Sequence, residues 1–208
     1  MEYFFSSVIG YLLGSIPTAY LVTKVAKGVD IRDIGSGNVG AMNTYEVSNS
    51  KVLGLVVFAV DALKGLLSVY LALLIFPVDF VYPALAIFFA VFAHCFNPWL
   101  SFKGGRGLAT GAGGMALLFP FLLIVWALIW VVIFISKRDI LFANIWATIM
   151  SLVITFFSSQ TAFNYAYPEP DSVSTLLTFS SALLIIIFIR HVDPLRKILA
   201  RKNFSTKR

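Results

Sequence analysis

Long apolar runs separated by short polar segments make up most of this chain. The runs cover roughly residues 3–25, 52–76, 79–97, 106–136, 140–159 and 173–191. Each is long enough for an α-helix to approach or cross a hydrocarbon layer of about 30 Å, at a rise of about 1.5 Å per residue. Because the runs are continuous rather than alternating, they predict membrane-spanning helices and not a transmembrane β-barrel.

The fourth run is too long for one ordinary span. Its residues 106–136 would make a helix of about 46 Å, and Pro120 near its middle offers a break. A proline inside a helix removes a backbone hydrogen bond and kinks or ends the helix. The pattern therefore predicts seven segments, of which the fourth, ending near Pro120, is short.

Composition supports the same class of protein. The chain has 208 residues, of which 59% are hydrophobic and 12% charged, and its mean hydropathy is +0.89. A soluble domain of this length could not bury so much apolar surface. We therefore predict an all-α polytopic membrane protein forming a single domain over residues 1–208. The one cysteine excludes an internal disulfide.

The distribution of positive charge predicts an orientation. Sixteen residues are Lys or Arg, and with seven segments all but Lys64 fall on one side of the membrane. The opposite loops contain Asp79, Glu169 and Asp171 instead. Because Lys and Arg concentrate in cytoplasmic loops, the N-terminus is expected outside and the C-terminus in the cytosol. The basic run 196–208 reads as a solvated, lipid-facing tail, so the net charge of +6 does not indicate a nucleic-acid partner.

Two glycine-rich loops fall on the predicted cytosolic side, over residues 35–43 and 102–110. Glycine lets backbone N–H groups approach a ligand closely, an arrangement that suits phosphate. The second loop adds the cations Lys103 and Arg106, and both histidines, His94 and His191, end runs on this side. A one-sided cluster favours an enzyme open to the cytosol and one leaflet over a transporter, whose site usually lies near the middle of the bilayer.

Asp61 and Lys64 are charged residues inside the second apolar run. They are three residues apart and so share a helix face, at a depth of about 14 Å. Charges in the membrane are costly and usually face the helix bundle. Two interpretations remain open: a pair that positions the site, or an ion pair that fixes helix packing.

Seven short motifs occur in one order along nearly the whole chain: Gly14–Tyr20, Asp30–Arg32, Gly35–Asn43, Asp61-x-x-Lys64-Gly65, His94-x-Phe96, Phe102–Thr110 and Arg190-His191. Together they resemble the PlsY family of membrane acyl-phosphate:glycerol-3-phosphate acyltransferases. The resemblance implies seven helices with the N-terminus outside. It also implies transfer of a fatty acyl group from acyl phosphate to the 1-hydroxyl of glycerol 3-phosphate, giving lysophosphatidic acid and phosphate without a metal or other cofactor.

The resemblance also implies a location and a set of partners. The expected place is the bacterial cytoplasmic (inner) membrane, with the active site on the cytosolic side. The expected partners are acyl phosphate, glycerol 3-phosphate and membrane lipids, with no protein partner.

The motifs and residue types together predict the site. The expected catalytic residues are Ser36, which could polarise the acyl carbonyl or bind phosphate, and His191. An imidazole titrates at about pH 6.5, so His191 is the best candidate base, although an oxygen of the acyl phosphate could take the proton instead. Asp61, Lys64 and His94 are expected to support the site. The expected substrate-binding residues are Gly35, Gly37, Asn38, Gly40, Asn43, Lys103, Gly104, Gly105, Arg106, Thr110 and Arg190.

Several motif positions depart from the family pattern. Met42 replaces a threonine, Glu46 a cation, and Arg106 a lysine, while Pro194-Leu195 stands where an Asn-Ile pair is usual. These departures keep two alternatives to the acyltransferase open. One is a diverged member that binds phospholipid or phosphate without turnover, and the other is a small-solute transporter.

Overall fold

The computed structural model describes residues 1–205, with the side chains of Asp193 and residues 196–208 left undescribed, so the predicted basic tail lies outside the described side chains. All regular structure in the described range is helical. The helices are α1 (Glu2–Gly14), α2 (Thr18–Lys27), α3 (Ala41–Ser48), α4 (Lys51–Ile75), α5 (Val81–Cys95), α6 (Leu108–Leu118), α7 (Pro120–Lys137), α8 (Ile140–Phe157), α9 (Ser159–Asn164) and α10 (Val173–Ser205). One 3₁₀ turn covers Pro98–Leu100.

Six helical stretches in the described residues are long and apolar enough to cross a membrane, which confirms the predicted all-helical membrane fold. They are Glu2–Lys27, Lys51–Ile75, Val81–Leu100, Pro120–Lys137, Ile140–Phe157 and Val173–Val192. The predicted break at Pro120 is confirmed, because α6 ends at Leu118 and α7 begins at Pro120. With 11 residues, α6 reaches only about 16 Å. The count of seven segments therefore stays a prediction.

The first apolar run, predicted as one segment, is broken in its middle. Pro17 separates α1 from α2. Because the helix is interrupted there, the carbonyls of Ser15 and Ile16 lack the N–H donors four residues ahead that a continuous helix would supply. Side chains from elsewhere meet these groups. Asn97 Nδ2 donates to Ser15 O at 2.8 Å, and Lys64 Nζ donates to Ile16 O at 3.0 Å. The backbone carbonyls at the break are thus satisfied by side chains from other helices and loops of the bundle.

Small residues let α1 approach α5 closely. Gly10 and Gly14 lie one turn apart on α1, and a Cβ on either would overlap the backbone of Ala86 or Ala90 on α5. This arrangement of small residues four apart is a common way of bringing helix backbones together in membranes, where dispersion contacts replace the hydrophobic driving force.

The same device joins α4 to α6. A Cβ on Gly65 of α4 would overlap Thr110 O, and a Cβ on Gly113 of α6 would overlap the backbone of Ala62. Because the second glycine loop leads directly into α6, this close contact holds that loop against α4.

The intramembrane charges Asp61 and Lys64 form a buried ion pair. Lys64 Nζ lies 2.8 Å from Asp61 Oδ1, and the two side chains are only 4% and 3% exposed. His94 Nδ1 of α5 lies 3.8 Å from the same carboxylate oxygen. The pair therefore links α4 to the break in the first span and to α5, which supports the structural interpretation of these charges.

Replacing Asp61 with Asn should destabilise the protein by about 3–5 kcal/mol, because it leaves the Lys64 ammonium buried without a counter-charge. Thermal unfolding in detergent micelles, followed by size-exclusion chromatography, measures the loss. The double variant Asp61→Asn/Lys64→Met removes both charges and should recover part of it. An Asp61→Asn variant as heat-resistant as the wild type would contradict a stabilising role for the pair.

Candidate active site

The first glycine loop is held together by Asn43, which is 1% exposed. Asn43 Oδ1 accepts a hydrogen bond from Ser36 N at 2.9 Å. Its Nδ2 lies within hydrogen-bond distance of the carbonyls of Ile31, Ile34 and Asn38, at 3.0–3.2 Å. The sequence placed Asn43 among the substrate-binding residues. The structure instead directs its whole amide at the loop backbone, where it sets the shape of the loop.

Ser36 stands at the exposed tip of this loop. Its Oγ lies 3.5 Å from Asn38 N, a contact in which the hydroxyl is the acceptor, so the hydroxyl proton remains available to a ligand. Gly35 and Gly37 flank it with φ values of 63° and 71°, a region that favours glycine. A Cβ on Gly35 would also meet the side chain of Asn43.

In the second loop, both the N–H and the C=O groups of Gly104 and Gly105 are hydrogen-bonded to other parts of the protein. Gly104 N donates to Cys95 O at 3.2 Å, and Gly105 N donates to His94 O at 3.0 Å. Their carbonyls accept from Arg190, through Nη2 at 3.0 Å and Nε at 3.1 Å. The N–H groups of Gly104 and Gly105 are therefore not free to bind a ligand. Arg190, predicted to bind substrate, uses two of its nitrogens to hold the loop carbonyls.

The two glycine loops touch each other at Gly105. A Cβ there would overlap His94 Nε2 and approach Val39 O of the first loop. Helix α3 begins at Ala41 and α6 at Leu108, so both helices start within three residues of this contact. The first amides of a helix lack intrahelical partners and carry a partial positive charge, which makes a helix start a good anion site. Gly40, predicted as a ligand contact, is the N-cap of α3.

Cations lie beside these helix starts. Lys103 is exposed and Arg106 half-buried. Burial lowers the pKa of Arg106, the charge of Arg190 acts in the same direction, and the charge of Glu46 on α3 acts against them. Glu46, the departure from the expected cation, therefore lies close enough for its charge to act on Arg106. A guanidinium stays protonated at neutral pH, so the positive charge remains.

Arg32 is engaged by Asp30. Arg32 Nη2 lies 2.6 Å from Asp30 Oδ2, and its Nη1 donates to Leu100 O at 3.2 Å. The hydrogen bond from Arg32 lowers the pKa of Asp30 to about 2. The Asp30–Arg32 motif therefore ties the segment before the first glycine loop to the segment before the second.

His191 lies on α10 and is 1% exposed. Its Nδ1 lies 2.7 Å from Ile187 O, and its Nε2 lies 3.4 Å from Asn144 Nδ2 on α8. Asn144 Oδ1 in turn accepts from Trp130 Nε1 of α7 at 2.7 Å. Sequence reasoning missed Asn144 and Trp130. The one available signal was an asparagine inside an apolar run.

Thr110, also predicted to bind substrate, faces the helix bundle. It lies in the first turn of α6, and its buried hydroxyl has no hydrogen-bond partner among the residues described. Across that same part of the chain, no group of three His, Cys, Asp or Glu side chains is placed to hold a metal ion.

The fold and these contacts define an integral membrane protein in which two glycine loops meet beside the starts of two helices. The sequence profile of the family "Glycerol-3-phosphate acyltransferase" matches residues 4–201. The chain belongs to this family.

Named relatives and solved structures agree with that assignment. The chain is 32% identical over 191 residues to a glycerol-3-phosphate acyltransferase of Wolbachia sp. subsp. Brugia malayi, covering 92% of each chain. It is 34% identical over 197 residues to the enzyme of Allorhizobium ampelinum, covering 94% of this chain and 88% of that protein. Crystal structures of PlsY, an integral membrane glycerol 3-phosphate acyltransferase, in its glycerol 3-phosphate and lysophosphatidic acid forms superpose with a TM-score of 0.76. They are 30% identical and cover 96% of this chain and 93% of theirs.

Replacing Gly105 with Ala should abolish activity, because the added methyl group would overlap His94 and push the two glycine loops apart. Gly111→Ala is the matched control, since the nearest atom to its new methyl would be the flexible end of Ile187 at 3.2 Å. It should keep near wild-type activity. Acyl transfer by purified variants of equal yield compares the two, and equal activity would show that the contact between the loops is not needed.

Proposed function

We propose that this protein transfers a fatty acyl group from acyl phosphate to the 1-hydroxyl of glycerol 3-phosphate, giving lysophosphatidic acid and phosphate. The contact between the two glycine loops carries this proposal, because it brings two helix starts and the basic residues of the second loop to one place. The related crystal structures with glycerol 3-phosphate and lysophosphatidic acid support the same substrate and product.

Both substrates are anions, so the site must offset their mutual repulsion. Lys103, Arg106 and the first amides of α3 and α6 are suited to bind the phosphate groups, since charge-assisted hydrogen bonds are the stronger kind. In this mechanism the exposed hydroxyl of Ser36 donates to the acyl carbonyl oxygen, where negative charge develops as the glycerol hydroxyl attacks. The carbonyl carbon gains its bond to the glycerol oxygen and loses its bond to phosphate.

An oxygen of the departing phosphate accepts the proton of the glycerol hydroxyl. The surroundings of His191 support this choice over the imidazole, since the ring is 1% exposed and both its nitrogens have partners. Asp30 and Asp61 are paired with Arg32 and Lys64. His191 then serves to hold α10, and with it Arg190, in place.

Product analysis decides between turnover and binding alone. Purified protein in lipid vesicles is incubated with acyl phosphate and glycerol 3-phosphate, and lysophosphatidic acid is measured by mass spectrometry. Product that depends on both substrates supports the acyltransferase. Substrate binding without product would identify the diverged, non-catalytic alternative.

The proposed arrangement in the membrane is one domain of seven segments, with the N-terminus outside and the site at the cytosolic face of a bacterial cytoplasmic membrane. In this arrangement α6 is the short fourth segment. The one-sided distribution of Lys and Arg supports it.

Cysteine labelling tests this arrangement. Single cysteines at positions 51, 103 and 137, which are exposed, on a Cys95→Ala background should react only from the cytosol. A cysteine at position 169 should react only from outside. Labelling of positions 103 and 137 from opposite sides would refute the seven-segment arrangement.

Lys103→Ala should lower kcat/KM for glycerol 3-phosphate by roughly 10- to 150-fold, because a charge-assisted contact contributes about 1.5–3 kcal/mol. Steady-state kinetics measure the loss. Lys27→Ala removes another exposed cation, at the end of α2, and should leave kcat/KM within about twofold. Wild-type kinetics in Lys103→Ala would remove this lysine from the site.

The His191→Gln variant should keep the acid limb of the pH–rate profile. In the proposed mechanism this limb belongs to a substrate phosphate, whose second pKa is about 6, so the rate still falls as the pH drops below that value. If the limb disappears and kcat falls by about 10²–10⁴, His191 is the base instead.

A further inference from the structure

A line of hydrogen bonds crosses three helices and ends at His191. It runs from Trp130 on α7 through Asn144 on α8 to His191 on α10, and from there to Ile187 O. Asn144 is 6% exposed and His191 is 1% exposed. Water therefore has little access to these two side chains, and their partners in the protein decide their protonation.

Each donor in this line fixes the next group. An indole N–H can only donate, so Asn144 presents its oxygen to Trp130 and its NH₂ group to His191. An amide nitrogen can only donate, so His191 Nε2 must carry a lone pair. The ring proton is then on Nδ1, where it donates to Ile187 O at 2.7 Å. The imidazole is neutral and in one tautomer.

We propose that Asn144, oriented by Trp130, is a positioning residue that holds His191 in the neutral Nδ1–H form and thereby keeps Arg190 on the second glycine loop. The inference rests on the proposed acyl transfer for its catalytic consequence, although not for the tautomer itself. Asn144 supplies the amide donor to His191 from a different helix, 47 residues away along the chain.

The charges around His191 explain why a neutral ring matters. Arg190 precedes it on α10 and donates to Gly104 O and Gly105 O. Arg106 lies on the same loop, next to Gly107, where an added Cβ would lie 3.4 Å from Ile187, one turn of α10 from His191. An imidazolium at this position would repel both guanidinium groups, one of which holds the loop while the other lies in the proposed phosphate site. A donor facing Nε2 disfavours that charged form.

Trp126 provides a matched control. Its Nε1 donates to Thr148 Oγ1 at 3.1 Å, again from α7 to α8, and Trp126 stacks on Trp130 one turn away. Trp126→Phe therefore removes the same kind of interhelical hydrogen bond but leaves the side-chain contacts of Asn144 and His191 in place. Thr148 Oγ1 meets only the main-chain carbonyl of Asn144, at 2.8 Å. If the line serves only to pack α7 against α8, the two tryptophan variants should behave alike.

The test is nitrogen NMR of the protein labelled with ¹⁵N in its histidine rings, in detergent micelles. The chain has only two histidines, and His191→Gln assigns their signals. We expect one Nδ1–H tautomer for His191 in the wild type and in Trp126→Phe. Trp130→Phe should give a mixture of tautomers, and Asn144→Asp, which places an acceptor at Nε2, should give an Nε2–H signal or an imidazolium.

Kinetics provide the second readout. Trp130→Phe should lower kcat/KM for glycerol 3-phosphate by roughly tenfold more than Trp126→Phe, the size expected for one lost hydrogen bond of about 1.4 kcal/mol. An unchanged His191 tautomer in Trp130→Phe, or equal losses in the two tryptophan variants, would overturn the proposal. If Asn144→Asp does not fold, the comparison of Trp130→Phe with Trp126→Phe still decides whether the proposal holds. A wild-type protein without acyl transfer but with the single tautomer would refute the proposed function and leave the tautomer assignment standing.

Discussion

The arrangement of this protein depends on how one buried ammonium group is satisfied. Lys64 lies within an apolar span, where an unpaired charge would be costly, and it is paired with Asp61 and bonded to Ile16 O. That carbonyl is available because Pro17 breaks the first span. Lys64 thus bonds a carbonyl at the break in the first span and links that span to α4. His94, beside the Asp61 carboxylate, connects α5 and the second glycine loop to the same pair.

Close packing of small residues then determines where the site can form. Gly65 and Gly113 let α6 lie against α4, and Gly105 lets the two glycine loops touch. The second glycine loop does not offer consecutive glycine N–H groups to a ligand, because the amides of Gly104 and Gly105 are bonded to carbonyls at the end of α5. The loops act as rigid supports, and in the proposed site the groups that face an anion are the first amides of two helices and a few polar side chains.

Helix α10 connects this support to a buried polar line. Arg190 holds the carbonyls of the second loop, and the next residue, His191, is held by Asn144. The neutral, enclosed imidazole that we propose for His191 is better suited to fixing geometry than to exchanging protons with substrate. This is why an oxygen of the departing phosphate, which needs no protein base, fits the site better as the acceptor.

The sequence by itself determined the helical membrane class, the break at Pro120, the family, and the list of polar residues from which the site is drawn. Those features depend on local composition, on the length of apolar runs and on short motifs, all of which are properties of neighbouring residues. The sequence could not show that the side chain of Asn43 bonds its own loop or that the first span is broken at Pro17. Nor could it show that a hydrogen-bonded line from Trp130 through Asn144 ends at His191. These outcomes were decided by the tertiary structure. The partners that satisfy the polar groups lie far along the chain, as with Asn97 and Ser15, 82 residues apart, or Arg190 and Gly105, 85 apart. For polar groups inside the membrane, no water is present to replace these protein partners.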